Sequence, residues 1–244
     1  MVIKKNKFFL KLIEIVLDDQ AGRDAIENRK KYDHINIVSY DQVNVPEDFK
    51  VKKKQSVRID LSDGMENVFN DFDKTCKKHI KRTFKMDNLS FKMLDQDFNK
   101  TYAAYVDFEK ANKRTPFAKT SLQDLYLFNA YDGDEVISAI LCYKTFPSLK
   151  AHTIFSKRLA KMDKDKYKMI SYATRRLVYE ICRYAIENNY TQLDLGSVNF
   201  TDSSKSGITN FKMTFKPAIA DEYHYIYQSP KFKLVNRIRK IFIK

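Results

Sequence analysis

The sequence predicts an α+β fold: a mixed, mainly antiparallel sheet flanked by helices, in a single domain with N- and C-terminal extensions. Three observations support this class. Short runs of alternating apolar and polar residues, typical of half-buried strands, are interspersed with amphipathic helical patterns. Asp132-Gly133 separates two such runs and indicates a hairpin. The longest helical pattern, residues 170–189, leads directly into the apolar run TQLDLG.

Residues 1–55 are expected to form an N-terminal elaboration. The apolar run from Phe8 to Val16 fits a helix and a strand equally well. HINIVSY has the composition of a strand, VNVPEDF that of a turn, and SVRIDL alternates as a strand from Ser56 to Leu61.

The main domain is expected at residues 56–228, and it contains the longest elements. Its first helix is expected at about Met65–Met86, with Ser62 or Asp63 as the N-cap. The later elements are a strand LSFKML, a helix at 98–113, the hairpin, a strand in KAHTIFSKRL, the long helix, the strand TQLDLG, a short helix NFKMTF and a strand DEYHYIYQ. Residues 229–244 then form a basic amphipathic helix.

The charge of the chain limits its partners. There are 45 Lys and Arg against 31 Asp and Glu, a formal net charge of +14. Such a field attracts polyanions: nucleic acid, an anionic membrane or a precursor linked to a diphosphate. A lysine-rich surface without a specific partner is the alternative. The 43% of hydrophobic residues excludes a disordered chain.

Cysteine and histidine usage argues against a metal site. Cys76, Cys142 and Cys182 lie far apart in the sequence and are expected to be buried thiols, and the four histidines lack the spacing of metal ligands. The N-terminus does not have the pattern of a secretory signal, and no apolar run reaches the roughly 18 residues that a membrane span needs. The sequence therefore favours a cytoplasmic protein. Peripheral contact with the inner face of the membrane, through the C-terminal helix, stays open.

The helix at Met65–Met86 has two contrasting sides. An apolar stripe runs along one side, and the other side carries Lys74, Lys77, Lys78, Lys81, Arg82 and Lys85 with no acidic residue after Asp73. Two interpretations are equally good: a surface that contacts phosphates and an ordinary solvated lysine face. In the first, Lys77, Lys78, Lys81 and Arg82 bind substrate, together with Tyr172 on the long helix.

The stretch from Tyr190 to Lys216 carries the candidate chemistry. The strand TQLDLG is expected to stop at Gly196, where glycine lets the backbone turn. Phe211 and Phe215 share one helical face, so Lys212 points to another side, toward a substrate-sized space beside the strand end.

Acyl transfer to an amine passes through a tetrahedral oxyanion, which an ammonium in a dry pocket stabilises. Lys212 is the candidate for that role, and Phe211 could stack on an adenine or an acyl chain. Asp194 is a candidate general base, with turn capping as the favoured alternative. Ser197 and Asn199 could orient substrate amides, or simply form the turn. Core rings at Phe211 and Phe215 with a solvated Lys212 are the structural alternative.

The order of these segments resembles the FemAB-like branch of the GNAT acyltransferase superfamily. After YDGDEVISAILCY, HTIFSKRL and SYATRRLVYEICRYAIENNY, the family's "DLGG" strand and its "G-x-x-x-F-K-x-x-F" segment correspond to 194–197 and 207–215. The helix KTCKKHIKRTFK is similar to the basic "RRxIRKAxK" helix of the branch. The resemblance covers about residues 56 to 227, and Ser197 stands where a second glycine is usual.

The resemblance implies a GNAT-like split sheet whose cleft opens at Gly196. Well-known members transfer amino acids from aminoacyl-tRNA to an amine of a peptidoglycan precursor, with two GNAT-like domains where this chain has room for about one. The family lysine, here Lys212, is implied to face the acyl carbonyl. Acetyl-CoA-dependent GNAT enzymes carry a glycine-containing pyrophosphate turn, but KRLAKMDKDKYKMISY contains no glycine. This favours aminoacyl-tRNA, or another carrier that is not CoA, over acyl-CoA as the donor. Lys161, Lys164, Lys166 and Lys168 could still contact phosphates, with a solvated loop as the alternative.

Three functions are consistent with these patterns. The first is an acyl or aminoacyl transferase that modifies an amine or hydroxyl of a nucleotide- or lipid-diphosphate-linked precursor of peptidoglycan or polysaccharide. The second is an acyl-CoA-dependent N-acetyltransferase of a sugar or peptide amine. The third is a non-enzymatic binder of nucleic acid or anionic membrane, through the helix at Met65–Met86 and the tail from Lys231 to Lys244.

Overall fold

The computed structural model describes residues 1–7, 9–158 and 162–242. They form two compact units, Met1–Ser56 with Ile219–Lys244, and Val57–Ala218. Phe8, Lys161 and the last two residues of the predicted C-terminal helix lie outside the described residues.

The elements alternate between strands and helices along the whole chain. In order they are β1 Val2–Lys7, β2 Leu10–Val16, α1 Asp19–Glu27, β3 His34–Ser39, β4 Phe49–Asp60, α2 Gly64–Asp71, α3 Lys74–Thr83, β5 Leu89–Met93, α4 Phe98–Ala111, β6 Tyr126–Asp132, β7 Glu135–Tyr143, β8 Ser148–Ser156, α5 Lys164–Glu187, β9 Gln192–Val198, α6 Ser206–Met213, β10 Ala218–Gln228 and α7 Pro230–Phe242.

The first unit is built on the strand order β1-β2-β3-β10-β4. β1 pairs antiparallel with β2, β2 pairs parallel with β3, and β3 pairs antiparallel with β10. Residues Leu10–Val16, which fit a helix and a strand equally well by sequence, form the strand β2. Side chains of β2, among them Ile13 and Ile15, enter a core with Ile35, Ile37 and Tyr225. β10 therefore belongs to the unit that contains the N-terminal residues, whereas the sequence placed DEYHYIYQ in the main domain. The division of the chain into residues 1–55, 56–228 and 229–244 stays a prediction.

The second unit is built on the order β4-β9-β8-β7-β6-β5. β5, β6, β7 and β8 pair antiparallel in succession, and β8 pairs parallel with β9. The long helix α5 packs on these strands, α3 packs on α5, and α4 contacts β6, β7 and β8. The core lies between α5 and the sheet, with fully buried side chains such as Phe128, Ile140, Leu177 and Ile181. The α+β class with a mainly antiparallel sheet flanked by helices is confirmed.

The helix expected at Met65–Met86 is two helices, α2 and α3, so that prediction is wrong. The chain leaves α2 at Phe72, whose backbone is extended (φ −57°, ψ 149°). Asp73 then caps α3: its carboxylate accepts a hydrogen bond from the backbone N–H of Cys76. The apolar stripe continues across the break because Phe72, Cys76 and Ile80 are all buried, which is why the periodicity alone did not reveal it.

Each cysteine is a buried thiol, as expected. Burial raises the pKa of Cys76 to about 12 and raises the pKa of Cys142 and Cys182 further. Such thiols are poor nucleophiles at neutral pH. Over the described ranges no helix combines the length and the hydropathy required to cross a bilayer.

Replacing Asp73 with Ala should destabilise the second unit by about 1 kcal/mol, because the α3 cap is removed. The measurement is the free energy of unfolding from urea titration followed by circular dichroism. Asp73→Asn keeps an acceptor and should cost less. The matched control is Asp71→Ala, since Asp71 is an exposed acid at the end of α2. Equal destabilisation by D73A and D71A would contradict the capping role.

Candidate functional site

The parallel ladder between β8 and β9 is short. It pairs Ser148, Leu149 and Lys150 with Gln192, Leu193 and Asp194. Both strands continue past the last pair, β8 to Ser156 and β9 to Val198. The sheet is therefore split on one side of this ladder, where the two strands cease to pair.

A buried ion pair lies at the last rung of that ladder. Lys150 Nζ is 2.6 Å from Asp194 Oδ2, and both side chains are almost completely excluded from solvent. Asp194 Oδ1 also accepts a hydrogen bond from the backbone N–H of Gly196 at 2.6 Å. Both carboxylate oxygens of Asp194 are therefore engaged by groups of the protein. This geometry favours the interpretation of Asp194 as a residue that fixes the turn over that of a general base.

Gly196 lies inside β9, so the strand does not stop there as the sequence suggested. Its φ of +81° is in the left-handed region that side chains disfavour. A Cβ at this position would lie 3.5 Å from the carbonyl oxygen of Ala151 and 3.6 Å from Lys212 Nζ. The glycine thus redirects β9 beside β8, next to the ammonium of Lys212.

Lys212 belongs to α6 and is only 6% exposed. Its ammonium donates a hydrogen bond to the backbone carbonyl of Ser197 at 2.8 Å. A solvated lysine at this position is therefore excluded by the structure. The side chain brings a positive charge to the point where β8 and β9 cease to pair, which is the region that the sequence analysis assigned to the acyl carbonyl.

The loop after β9 is held by its own side chains. Asn199 Oδ1 accepts from the backbone N–H groups of Thr201 and Asp202, both at 3.0 Å. Thr209 Oγ1 donates to the carbonyl of Asn199 at 3.1 Å and links the loop to α6. Asn199 therefore has the contacts of a turn-forming residue. The side chain of Ser197 is exposed.

Phe211 is a core ring with a charged neighbour. It is buried and packs edge-to-face on Phe215, with ring centroids 5.3 Å apart. The guanidinium of Arg175 lies 5.4 Å from the Phe211 ring centroid. Stacking of Phe211 on a substrate ring would require this arginine to move, so the core interpretation of Phe211 is favoured.

A basic groove with a volume of about 580 Å³ runs along α3. Its lining contains every residue that the sequence nominated for phosphate contacts on this helix; the full set is Phe69, Asn70, Lys74, Lys77, Lys78, Lys81, Arg82 and Lys85. None of these side chains is acidic. Phe72, at the break before α3, is buried. The row of cations lies on the opposite, solvent-facing side of α3.

Tyr172 connects the groove to α5. Its ring stacks on His79, with centroids 4.2 Å apart, and its hydroxyl accepts a hydrogen bond from Arg82 Nη1 at 3.1 Å. Burial lowers the pKa of His79, and the charges of Arg175 and Arg82 lower it further. A neutral imidazole therefore lies among cations, in contact with the predicted substrate residue Tyr172.

Sequence patterns did not single out Arg158 and Arg175, which both reach the hydroxyl of Ser171 on α5. The sequence did contain a signal, which is the lack of an acid at helical spacing from Arg175. Arg176 has Glu180 four residues later and forms an ion pair with it. Arg175 has Ser171 and Tyr179 at that spacing. Of the lysines proposed as phosphate contacts after β8, Lys166 pairs with Glu135 and Lys168 with Asp165.

The fold is shared with several solved structures of low sequence identity. FemX superposes with a TM-score of 0.64 at 12% identity, covering 96% of this chain and 86% of FemX. The C-terminal domain (DUF2156) assigned to a lysylphosphatidylglycerol synthetase of Agrobacterium fabrum gives 0.54 at 12% identity, with 98% and 84% covered. L-PGS from Bacillus licheniformis gives 0.53 at 12% identity, with 98% and 84% covered. No family model matches the sequence, and no curated protein matches it. The resemblance to the FemAB-like branch of GNAT folds is thus confirmed at the level of the fold.

Breaking the buried ion pair should be costly. Lys150→Met or Asp194→Leu alone leaves one charge buried without its partner, and each should destabilise the protein by about 3–5 kcal/mol. The double variant should lose clearly less than the sum of the two, because the charges are coupled. Urea unfolding of the four proteins measures the coupling, and strictly additive losses would contradict a direct pair.

Proposed function

We propose that this protein is an acyl or aminoacyl transferase that modifies an amine or a hydroxyl of a cell-envelope precursor. The observation that carries the proposal is the buried ammonium of Lys212 beside Gly196, where the β8–β9 ladder ends. The fold shared with FemX and with a lysylphosphatidylglycerol synthetase domain supports transfer chemistry in general.

The proposed step is a displacement at an acyl carbonyl. The acceptor's nitrogen or oxygen attacks the carbonyl carbon and forms a tetrahedral intermediate, in which the former carbonyl oxygen carries a negative charge. The bond from carbon to the carrier oxygen or sulfur then breaks as the carbonyl re-forms. A preorganised ammonium stabilises that charge without solvent reorganisation. The proton lost by the acceptor goes to the departing carrier group, directly or through water.

The donor is proposed to be aminoacyl-tRNA, with the alternative of an acyl-CoA. The groove of α3 presents six basic side chains in one row, which suits a ligand with several phosphates rather than one. The absence of glycine from 157–172 supports the same choice. The acceptor is proposed to be an anionic nucleotide- or lipid-diphosphate-linked precursor, in keeping with the strongly positive net charge.

Contact with an anionic membrane is proposed for the C-terminal helix. On α7, Leu234 and Ile238 are exposed by 59% and 46%. Lys231, Lys233 and Arg237 are exposed on the same helix. Apolar side chains flanked by cations are typical of helices that lie in the bilayer interface. Such a contact would place a cytoplasmic transferase next to a lipid-linked acceptor.

Lys212→Met should lower the rate of transfer about 10²–10³-fold, because it removes the ammonium and keeps most of the side-chain volume. The assay follows labelled amino acids from total aminoacyl-tRNA into UDP-N-acetylmuramyl-pentapeptide or into phosphatidylglycerol vesicles, with labelled acetyl-CoA and glucosamine as the alternative arm. Lys205→Met, a change to an exposed lysine just before α6, is the matched control. Full activity in a folded K212M protein would overturn the role of Lys212.

The groove should bind polyanions through its lysines. In Lys78→Ala/Lys81→Ala, the affinity for total tRNA should fall, and the slope of log K against log salt should decrease by about 0.7–0.9 for each phosphate that the variant no longer binds. Lys110→Ala/Lys113→Ala removes the same charge from exposed positions at the end of α4 and should change binding little. Equal reductions in both double variants would mean that net charge alone attracts the tRNA.

A further inference from the structure

Two guanidinium groups converge on one hydroxyl between β8 and α5. Arg175 Nη1 donates to Ser171 Oγ at 2.8 Å and to the Ser171 carbonyl at 3.2 Å. Arg158 Nη1 reaches the same Ser171 Oγ at 3.5 Å. Since both contact one small side chain, the two positive charges are neighbours. Arginine forks arranged in this way match the oxygens of a phosphate.

Within the part of the chain that the structure describes, neither of these guanidinium groups forms an ion pair with a carboxylate. The Nε atoms of both arginines are buried and have no hydrogen-bond partner there, and the same holds for Nδ1 of His79. Three unsatisfied ring and guanidinium nitrogens in one region are unusual, because buried polar groups are normally paired.

The surroundings make this arrangement costly for the protein alone. Burial lowers the pKa of Arg175, and the charge of Arg158 acts in the same direction, while Cys76, Asp73 and Tyr172 oppose the shift. Arg82 adds a third guanidinium through Tyr172. Aromatic rings support the charges: Arg158 lies 5.3 Å from the ring centroid of Tyr167, and Arg175 lies over Phe211. An anion placed among these groups would remove the repulsion and satisfy the buried donors.

We propose that Arg158 and Arg175, with His79 and Tyr172 beside them, form a binding site for a phosphoryl group of the substrate. Arg82 and Tyr172 connect the groove of α3 to this site. The guanidinium of Arg175 lies over the ring of Phe211, and Phe211 is adjacent in sequence to Lys212. The site therefore holds the phosphate nearest to the reacting acyl group, and the α3 lysines hold phosphates farther along the same ligand. Phosphate binding rests on the geometry alone, whereas its place in a transfer reaction rests on the proposed function.

Binding of inorganic pyrophosphate to the full chain tests the site without any transfer assay. Calorimetry should show saturable binding, weakened about tenfold for each guanidinium removed in Arg158→Gln and Arg175→Gln. The matched control is Arg183→Gln/Arg23→Gln, which removes two exposed or ion-paired arginines elsewhere and should keep the affinity within about twofold. No binding to the folded wild-type protein, or equal weakening in Arg158→Gln/Arg175→Gln and in the control double variant, would overturn the proposal.

A spectroscopic readout keeps the test informative if the Arg→Gln variants fold poorly. Pyrophosphate bound beside His79 stabilises its imidazolium, so the pKa of His79 should rise in an NMR titration of the wild-type protein. His224, which is paired with Glu222 in the other unit, serves as the internal control. Arg158→Lys/Arg175→Lys keeps both charges but removes the fork, and it should bind more weakly than the wild type. An unchanged His79 pKa at saturating pyrophosphate would contradict the site.

Competition identifies the source of the phosphoryl group. The trinucleotide CpCpA represents the end of a tRNA, coenzyme A the alternative donor, and UDP-N-acetylglucosamine a nucleotide-linked acceptor. Displacement of pyrophosphate by one of these assigns the site to that part of the reaction. Pyrophosphate binding without displacement by any of them would overturn the link to the substrate, and a failed transfer assay with intact pyrophosphate binding would overturn the proposed function instead.

Discussion

The site depends on two opposite charges buried at the end of a three-pair ladder. Lys150 and Asp194 close the parallel pairing of β8 and β9, and the second oxygen of Asp194 holds the N–H of Gly196. Because a buried pair of charges tolerates little displacement, the point at which the strands separate is fixed. The left-handed turn at Gly196, the carbonyl of Ser197 and the ammonium of Lys212 then follow in positions set by that anchor.

Around this anchor the protein concentrates positive charge with little internal compensation. Several cations on other elements are paired locally, as Arg176 is with Glu180 and Lys166 with Glu135. Along α3 and at Arg158 and Arg175 such partners are missing from the described surroundings. Unsatisfied buried donors and clustered like charges reduce stability, so they are retained most readily where a ligand supplies the missing anion. This contrast in local pairing supports the proposal that α3, Arg158 and Arg175 bind an anion.

The sequence predicted the features that depend on local patterns. The order of strands and helices from β5 to α7, the hairpin at Asp132-Gly133 and the basic side of α3 all follow from periodicity and turn chemistry, and the structure contains each of them. It could not predict the ion pair between Lys150 and Asp194, whose partners are 44 positions apart, nor the approach of Arg158 to Arg175. Such contacts arise only when the sheet and α5 are assembled. The break at Phe72–Asp73 was missed for another reason, since the apolar spacing carries on through it.

That break also sets a length. α3 has ten residues, and at about 1.5 Å per residue its axis measures about 15 Å. A stacked nucleic acid strand places one phosphate about every 3.4 Å along its axis, so the cationic row matches about four or five phosphates in succession. For the proposed aminoacyl-tRNA donor, a row of this length would contact a few successive phosphates and not the whole molecule.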